Sequence, residues 1–218
     1  MSKELLSALR ASIATAAIGL AAAIAAAPVH AQGADDGDTT SALTYCRRSE
    51  AALARRPSGK EYAMAVGGVQ SCGDIAARAL AAEWRRPPSD STSLQDLAAT
   101  SSAVRDRRLA DVTRDIVMQP SRPRLERLAA LATLVAQALP DSRVSYLETS
   151  KPAMPGTPPV MLLELVHGPS SKERQALSAS PKDVLALVRE LAKSDPDEVV
   201  RGIASHLAEQ IDRKLKQP

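Results

Sequence analysis

Apolar residues recur at helical spacing through most of the chain after residue 40. The stripe formed by Tyr62, Val66, Val69 and Cys72 follows steps of three and four residues, which place side chains on one face of an α-helix. The same pattern predicts helices over about 41–56, 60–72, 75–86, 94–104, 109–116 and 125–139. The helix over 125–139 is apolar on two faces, so we expect it to be covered on both sides.

Two further helices are predicted after residue 180 from their start signals. Ser180 precedes Pro181, and a serine cap followed by proline at the first helical position is typical of a helix N-terminus. Asp195 and Pro196 repeat this device before the second of the two helices. The stripes that follow are expected to be core faces.

The segment 140–180 departs from the helical pattern. Residues 143–148 alternate between polar and apolar, a proline-rich stretch follows, and residues 160–166 form an apolar run. This order predicts a small β-hairpin-like insertion near 142–167. Loops of this length often carry function, so Tyr146 within it is a candidate binding residue.

Part of the chain contains a weak sequence repeat. The triplet 72–74 aligns with 104–106, and the helix pairs 60–86 and 92–118 share a layout. An Asp195-Pro196 turn is followed by Val200 and Ala204 at a spacing of four. These features resemble the HEAT-like family of α-solenoids, which implies an all-α fold of antiparallel helical hairpins stacked as a short solenoid. An irregular helical bundle is the alternative, because the repeat is shorter than the roughly 40 residues usual for that family.

The N-terminus has the pattern of a secretory signal peptide. Lys3 and Arg10 precede the apolar stretch 11–27, and Pro28 leads to a small residue at Ala31. We therefore expect cleavage after Ala31, a flexible leader over 32–40 and a single domain over 41–218 in a periplasmic or extracellular protein. A retained membrane anchor is the alternative, since the apolar run is near the lower limit for spanning.

The two cysteines are predicted to form a disulfide. Cys46 and Cys72 lie at equal distances from the turn signal around Gly59, so an antiparallel helix pair would bring them to the same height. An exported protein also encounters oxidising conditions. A redox pair or metal site would favour a Cys-x-x-Cys spacing, which is absent.

The amino-acid composition favours helices and argues against several classes of function. Aromatic residues make up 2% of the chain against 44% hydrophobic residues, and there is no Phe. Strands favour the aromatic and β-branched residues that are scarce here. The same scarcity argues against an aromatic-lined small-molecule pocket and against nucleic-acid binding, and a net charge of +3 adds no strong signal.

Catalytic motifs are missing from the sequence, which has no Gly-x-Ser-x-Gly elbow and no phosphate-binding loop. No cofactor is expected. An alternative metal-binding or hydrolytic function would use Glu164 with His167 and His206 with Glu209, because a spacing of three can direct both side chains of a helix to one metal.

Arginines recur near predicted helix ends, and their planar guanidinium groups suit carboxylates and phosphates. The candidate binding residues are Arg85, Arg86, Arg105, Arg107 and Arg108. They would bind an acidic partner or an anionic polymer, or else form a solvated face neutralised by interspersed acids. The sequence thus favours an exported, non-catalytic protein-binding or scaffolding module whose partner is another envelope or secreted protein.

Overall fold

The computed structural model describes residues 36–139, 142–148, 161–167 and 178–216. Within these ranges the chain forms eight helices and two strands. They are α1 (Asp36–Ala54), α2 (Gly59–Val69), α3 (Asp74–Arg85), α4 (Ser91–Ala103), α5 (Arg107–Val117), α6 (Arg124–Ala138), β1 (Ser142–Glu148), β2 (Met161–His167), α7 (Pro181–Ser194) and α8 (Glu198–Lys216).

The predicted signal peptide over residues 1–31 lies outside the described residues. Helix α1 begins at Asp36, so part of the predicted leader over 32–40 is helical. None of the helices in the described ranges has the length and apolar character that crossing a bilayer requires.

The first six helices pack in two alternating series. Helices α1, α3 and α5 contact one another in that order, and α2, α4 and α6 form a second series. Sequential contacts between α1 and α2, and between α5 and α6, join the two series. Helices α7 and α8 pack on each other, and α7 also contacts α6.

The core consists mainly of Ala, Leu, Val and Ile side chains, as the composition predicts. Trp84 is fully buried, and its indole Nε1 donates to the Ser101 hydroxyl at 2.9 Å. Helix α6 is buried from Arg127 to its end, which confirms that it is covered on both sides. Its Gln137 amide donates to the carbonyls of Ser101 and Val104 at 2.7 and 2.8 Å, where α4 ends.

Helix α7 begins at the predicted start signal, whereas α8 does not use the predicted one. The Ser180 hydroxyl accepts from the Asp183 amide, with Pro181 at the first helical position. At α8 the carboxylate of Asp197 accepts from the amides of Val199 and Val200 and so serves as the cap. Asp195, the residue expected there from the sequence, lies before the cap: its Oδ1 accepts from the Asp197 amide at 2.9 Å, and its carboxylate also forms a buried ion pair with Arg127.

Strands β1 and β2 pair antiparallel in the described part of the insertion. Ser142 lies opposite His167, and Glu148 lies opposite Met161. Strand β1 contacts α6, and β2 contacts α8. For these two strands the structure describes the backbone and not the side chains.

The Cys46–Cys72 disulfide is confirmed, with the two Cα atoms 5.5 Å apart. Cys72 does not lie in a helix, because α2 ends at Val69. It belongs to the turn before α3, where Gly73 adopts a positive φ of 52° that favours glycine. The bond therefore joins the middle of α1 to the α2–α3 turn.

Candidate functional site

Two Arg-Arg-Pro turns lie side by side at one end of the helices. Arg55, Arg56 and Pro57 follow α1, and the same three residue types recur thirty positions later where α3 ends. The Arg56 guanidinium donates through Nη2 to the Arg86 carbonyl at 2.5 Å. This hydrogen bond holds the two turns in contact.

The turn between α5 and α6 brings a further arginine, Arg122, to this end of the helices. Arg122 donates through Nη2 to the Arg85 carbonyl at 3.5 Å and pairs with Glu126 at 3.4 Å. We call Arg55, Arg56, Arg85, Arg86 and Arg122 the arginine cluster. All are exposed except the half-buried Arg122. Cations are favoured here because the C-termini of α1 and α3 present the negative ends of their dipoles.

Arg56 has a strained backbone within this cluster. Its φ of 53° lies in the left-handed region, and no other non-glycine residue among those described has a positive φ. For an L-residue that conformation costs roughly 1–2 kcal/mol. Its amide donates to the Leu53 carbonyl at 2.8 Å, which ends α1, and its guanidinium is anchored on Arg86.

A pocket of about 370 Å³ lies between the two Arg-Arg-Pro turns. Tyr62 and Glu83 line it with only 2% and 8% of their surface exposed. The Tyr62 hydroxyl and the Glu83 Oε2 atom are both buried, and the Tyr62 hydroxyl lies close enough to hydrogen-bond the Glu83 carboxyl group. We call this the turn pocket.

The surroundings of Glu83 and Tyr62 in the turn pocket disfavour the negatively charged forms of these two side chains. Burial raises the pKa of Glu83, and both the nearby charge of Arg56 and a hydrogen bond from Tyr62 oppose that rise. Burial also raises the pKa of Tyr62, and the negative charge of Glu83 adds to the shift. Asp90, at the mouth, has a lowered pKa because it accepts from the Ser93 amide at 2.8 Å as the cap of α4.

The structure separates the candidate arginines into two groups. Arg85 and Arg86 belong to the arginine cluster, whereas Arg108 lies at the opposite end of α3, where it bridges Asp74 at 2.6 Å and Asp106 at 2.8 Å. Because α3 spans twelve residues, its two ends are about 16 Å apart. A continuous stripe through all five candidate arginines is therefore not formed.

The other two arginines near Arg108 have separate contacts. Arg105 donates to the Ala136 carbonyl near the end of α6, and exposed Arg107 pairs with Asp111 at 3.7 Å. Arg107 also lines a cleft of about 590 Å³ between α5 and α7. The Tyr146 side chain lies outside what the structure describes.

The alternative metal site combines residues from two different elements. Glu164 and His167 lie on the extended backbone of β2, where the helical spacing argument does not apply, and His206 and Glu209 lie on α8. His206 Nε2 is 2.6 Å from the side-chain nitrogen of Gln210. In the part of the chain that the structure describes, no three His, Cys, Asp or Glu side chains gather to hold a metal ion.

The sequence interpretation missed Tyr62 and Glu83 as site residues. Tyr62 was assigned to a core stripe, and Glu83 lies in a run of apolar residues with no motif around it. The thirty-residue recurrence of Arg-Arg-Pro was the available signal, since turns of successive helix pairs tend to stack. That recurrence indicates which end of the helices holds the pocket, but it does not identify Tyr62 and Glu83 as lining residues.

No family model, no curated protein and no solved structure matches this chain.

Proposed function

We propose that this protein is an exported, non-catalytic binding module that holds an acidic segment of a partner protein at the arginine cluster. The observation that carries the proposal is the hydrogen bond from Arg56 to the Arg86 carbonyl. It brings two Arg-Arg-Pro turns together and concentrates exposed guanidinium groups at one end of the helices. Such groups form paired hydrogen bonds with carboxylates.

The charges in the cluster are available to a partner. Arg55, Arg85 and Arg86 are exposed and take part in no ion pair with the residues that the structure describes. By contrast, Arg108, Arg124 and Arg127 each pair with aspartates in the protein itself. The arginine cluster thus has more exposed positive charges than carboxylates that pair with them.

The packing of the helices supports a short solenoid of the HEAT-like type. In a solenoid each helix contacts the equivalent helix of the next repeat, as α1, α3 and α5 do here, and as α2, α4 and α6 do. Turns of successive repeats then align along one edge. Solenoids commonly use such extended surfaces to bind other proteins.

Export is supported by two separate features. The Cys46–Cys72 bond is of a kind that forms and persists in oxidising compartments. The N-terminal residues 1–31 have the charge and apolar pattern of a secretory signal peptide. The site of action in this proposal is the periplasm, the cell envelope or the extracellular space.

The test is binding of a fluorescein-labelled peptide of alternating Glu and Ser residues to the chain 32–218. We expect fluorescence anisotropy to show binding that weakens as salt rises, because added ions screen exposed charges. The triple variant Arg55→Glu, Arg85→Glu, Arg86→Glu should lose at least about tenfold in affinity, since each lost ion pair contributes up to about 1 kcal/mol.

The matched control reverses three exposed arginines elsewhere, namely Arg47, Arg48 and Arg213. It changes the net charge by the same amount and should retain most of the affinity. Equal losses in both triple variants would show that only net charge matters and would contradict the proposal. A polyanionic polysaccharide that outcompetes the peptide would favour the anionic-polymer alternative instead.

A further inference from the structure

The three helix turns at the arginine cluster lie in a row. Arg56 of the α1–α2 turn and Arg122 of the α5–α6 turn each donate to a backbone carbonyl at the end of α3, at 2.5 and 3.5 Å. The α3–α4 turn is therefore the middle of the three. Packed helices are about 8–10 Å apart, so the row spans about 20 Å. An extended segment of about six residues covers that length, because a strand rises about 3.3 Å per residue.

The α5–α6 turn differs from the other two in the side chains that it exposes. Met118 and Leu125 border it, with 43% and 40% of their surface exposed. Pro120 and Pro123 are exposed within it. In the part of the chain that the structure describes, the α1–α2 and α3–α4 turns expose no large hydrophobic side chain. Apolar surface is therefore concentrated at one end of the row.

The arginines of the α5–α6 turn are paired within the protein. Arg122 pairs with Glu126 at 3.4 Å, and Arg124 pairs with Asp197 at 2.6 Å. The exposed arginines of the other two turns take part in no ion pair with the residues that the structure describes. The row thus offers positive charge at two turns and apolar surface at the third.

We infer that the partner segment is acidic at one end and apolar at the other, and that its apolar side chains pack on Met118 and Leu125. This partner chemistry rests on the proposed function, because the acidic end of the same segment binds the arginines of the first two turns. The occupant of the row is then an extended segment of another protein with carboxylates followed or preceded by aliphatic side chains.

Charge and polarity along the row select this occupant. A uniformly acidic segment would place a carboxylate beside Met118 and Leu125, where the nearby guanidinium groups already have partners. A uniformly apolar segment would cover the exposed arginines without a counter-charge, which is unfavourable because burying an unpaired charge is costly. A segment of mixed character pairs the free arginines and also removes the apolar surface of the third turn from water.

The test compares fluorescein-labelled peptides of about eight residues that carry the same three glutamates. The first has serine at all other positions. The second and third have two leucines at the carboxyl or the amino end, and the fourth has the two leucines in its centre. With the disulfide-bonded chain 32–218, fluorescence anisotropy should show that one end-leucine peptide binds about tenfold more tightly than the serine peptide. The central-leucine peptide should gain about threefold or less.

Two double variants locate the leucine contact. In Met118→Ser with Leu125→Ser, the preference for the end-leucine peptide should fall to about twofold or less, because serine buries little apolar surface. Leu43→Ser with Met64→Ser is the matched control. It removes two exposed apolar side chains from α1 and α2 and should keep the preference. Thermal unfolding would establish that both variants are folded.

A second measurement uses the wild-type protein alone. Burial of apolar surface makes the heat-capacity change of binding negative. Calorimetric titrations at several temperatures should therefore give a more negative heat-capacity change for the tighter end-leucine peptide than for the serine peptide. Equal values would overturn the inference, because the leucines would then bury no additional apolar surface.

The peptide affinities distinguish this inference from the proposed function. If no peptide binds, both are overturned. If the serine peptide binds and the end-leucine peptides bind no more tightly, only the apolar contact is overturned. Equal loss of the preference in the two double variants would also overturn it. A dimer of the peptide-free protein that Met118→Ser with Leu125→Ser abolishes would show that a second copy covers this surface, and would likewise overturn it.

Discussion

Arg127 and Asp195 form a buried ion pair between helix α6 and the α7–α8 turn, although they are 68 positions apart in the chain. Arg127 Nη1 donates to Asp195 Oδ1 at 3.1 Å, Nη2 donates to Oδ2, and the two side chains are 3% and 2% exposed. Arg127 also donates twice to the Val117 carbonyl, at the end of α5. One guanidinium thus links three parts of the fold.

Replacing Arg127 with leucine should strongly destabilise the protein. Removal of one partner leaves the Asp195 carboxylate buried without a counter-charge, which typically lowers the free energy of unfolding by about 3–5 kcal/mol. The measurement is urea unfolding followed by circular dichroism. Arg124→Ala is the control, because Arg124 pairs with Asp197 at 2.6 Å in a more exposed position and should lose only about 0–1 kcal/mol. Equal effects of the two variants would contradict this assignment.

Removing the disulfide should lower stability without abolishing the helices. For a bond that joins residues 26 positions apart, the chain-entropy model gives a loss of about 3.5 kcal/mol. The test compares urea midpoints of the wild type and a double variant, Cys46→Ala with Cys72→Ala. The wild type with reductant should match the double variant, and an unchanged midpoint in both would show that the bond contributes nothing.

Two adjacent glycines of α2 should respond differently to alanine. A Cβ at Gly67 would meet nothing within 4 Å, so Gly67→Ala should stabilise the helix by about 0.5–1 kcal/mol. A Cβ at Gly68 would lie 3.3 Å from the Ser49 Cβ and 2.9 Å from its hydroxyl, where α1 approaches α2. Gly68→Ala should therefore stabilise less or destabilise. Thermal unfolding of the two variants measures the difference, and equal gains would contradict the close approach.

The raised pKa of Glu83 predicts that the stability of the protein depends on pH. Burial raises its pKa in the folded protein above the ordinary 4.5, so the folded state keeps this proton where the unfolded chain has lost it. The contribution to stability is complete below the ordinary pKa and is lost as pH rises through the raised value. Glu83→Gln should therefore be more stable than the wild type at pH 7, with a difference that narrows as pH falls towards about 4.

Urea unfolding of both proteins at several pH values measures that difference. Glu61→Gln serves as the control, because Glu61 is exposed on α2. Its difference from the wild type should show little change over the same range. A constant difference for Glu83→Gln across pH would show that the carboxyl group is not disfavoured by its surroundings.

The sequence by itself determined the helices and the disulfide, because both depend mainly on local features. Steps of three and four residues place one face of each helix against the core, and Ser180 with Pro181 marks the start of α7. The positions of Cys46 and Cys72 on either side of one turn were sufficient to predict their bond.

Only the tertiary structure decided which charged residues are buried and which are available. Arg124 and Arg127 lie one turn apart on the same helix, yet Arg127 is buried and paired with Asp195 while Arg124 is exposed. Burial of a charge depends on which distant elements pack around it, and helical periodicity carries no information about those elements. The same holds for the contact between Arg56 and Arg86, which joins the two Arg-Arg-Pro turns beside the turn pocket.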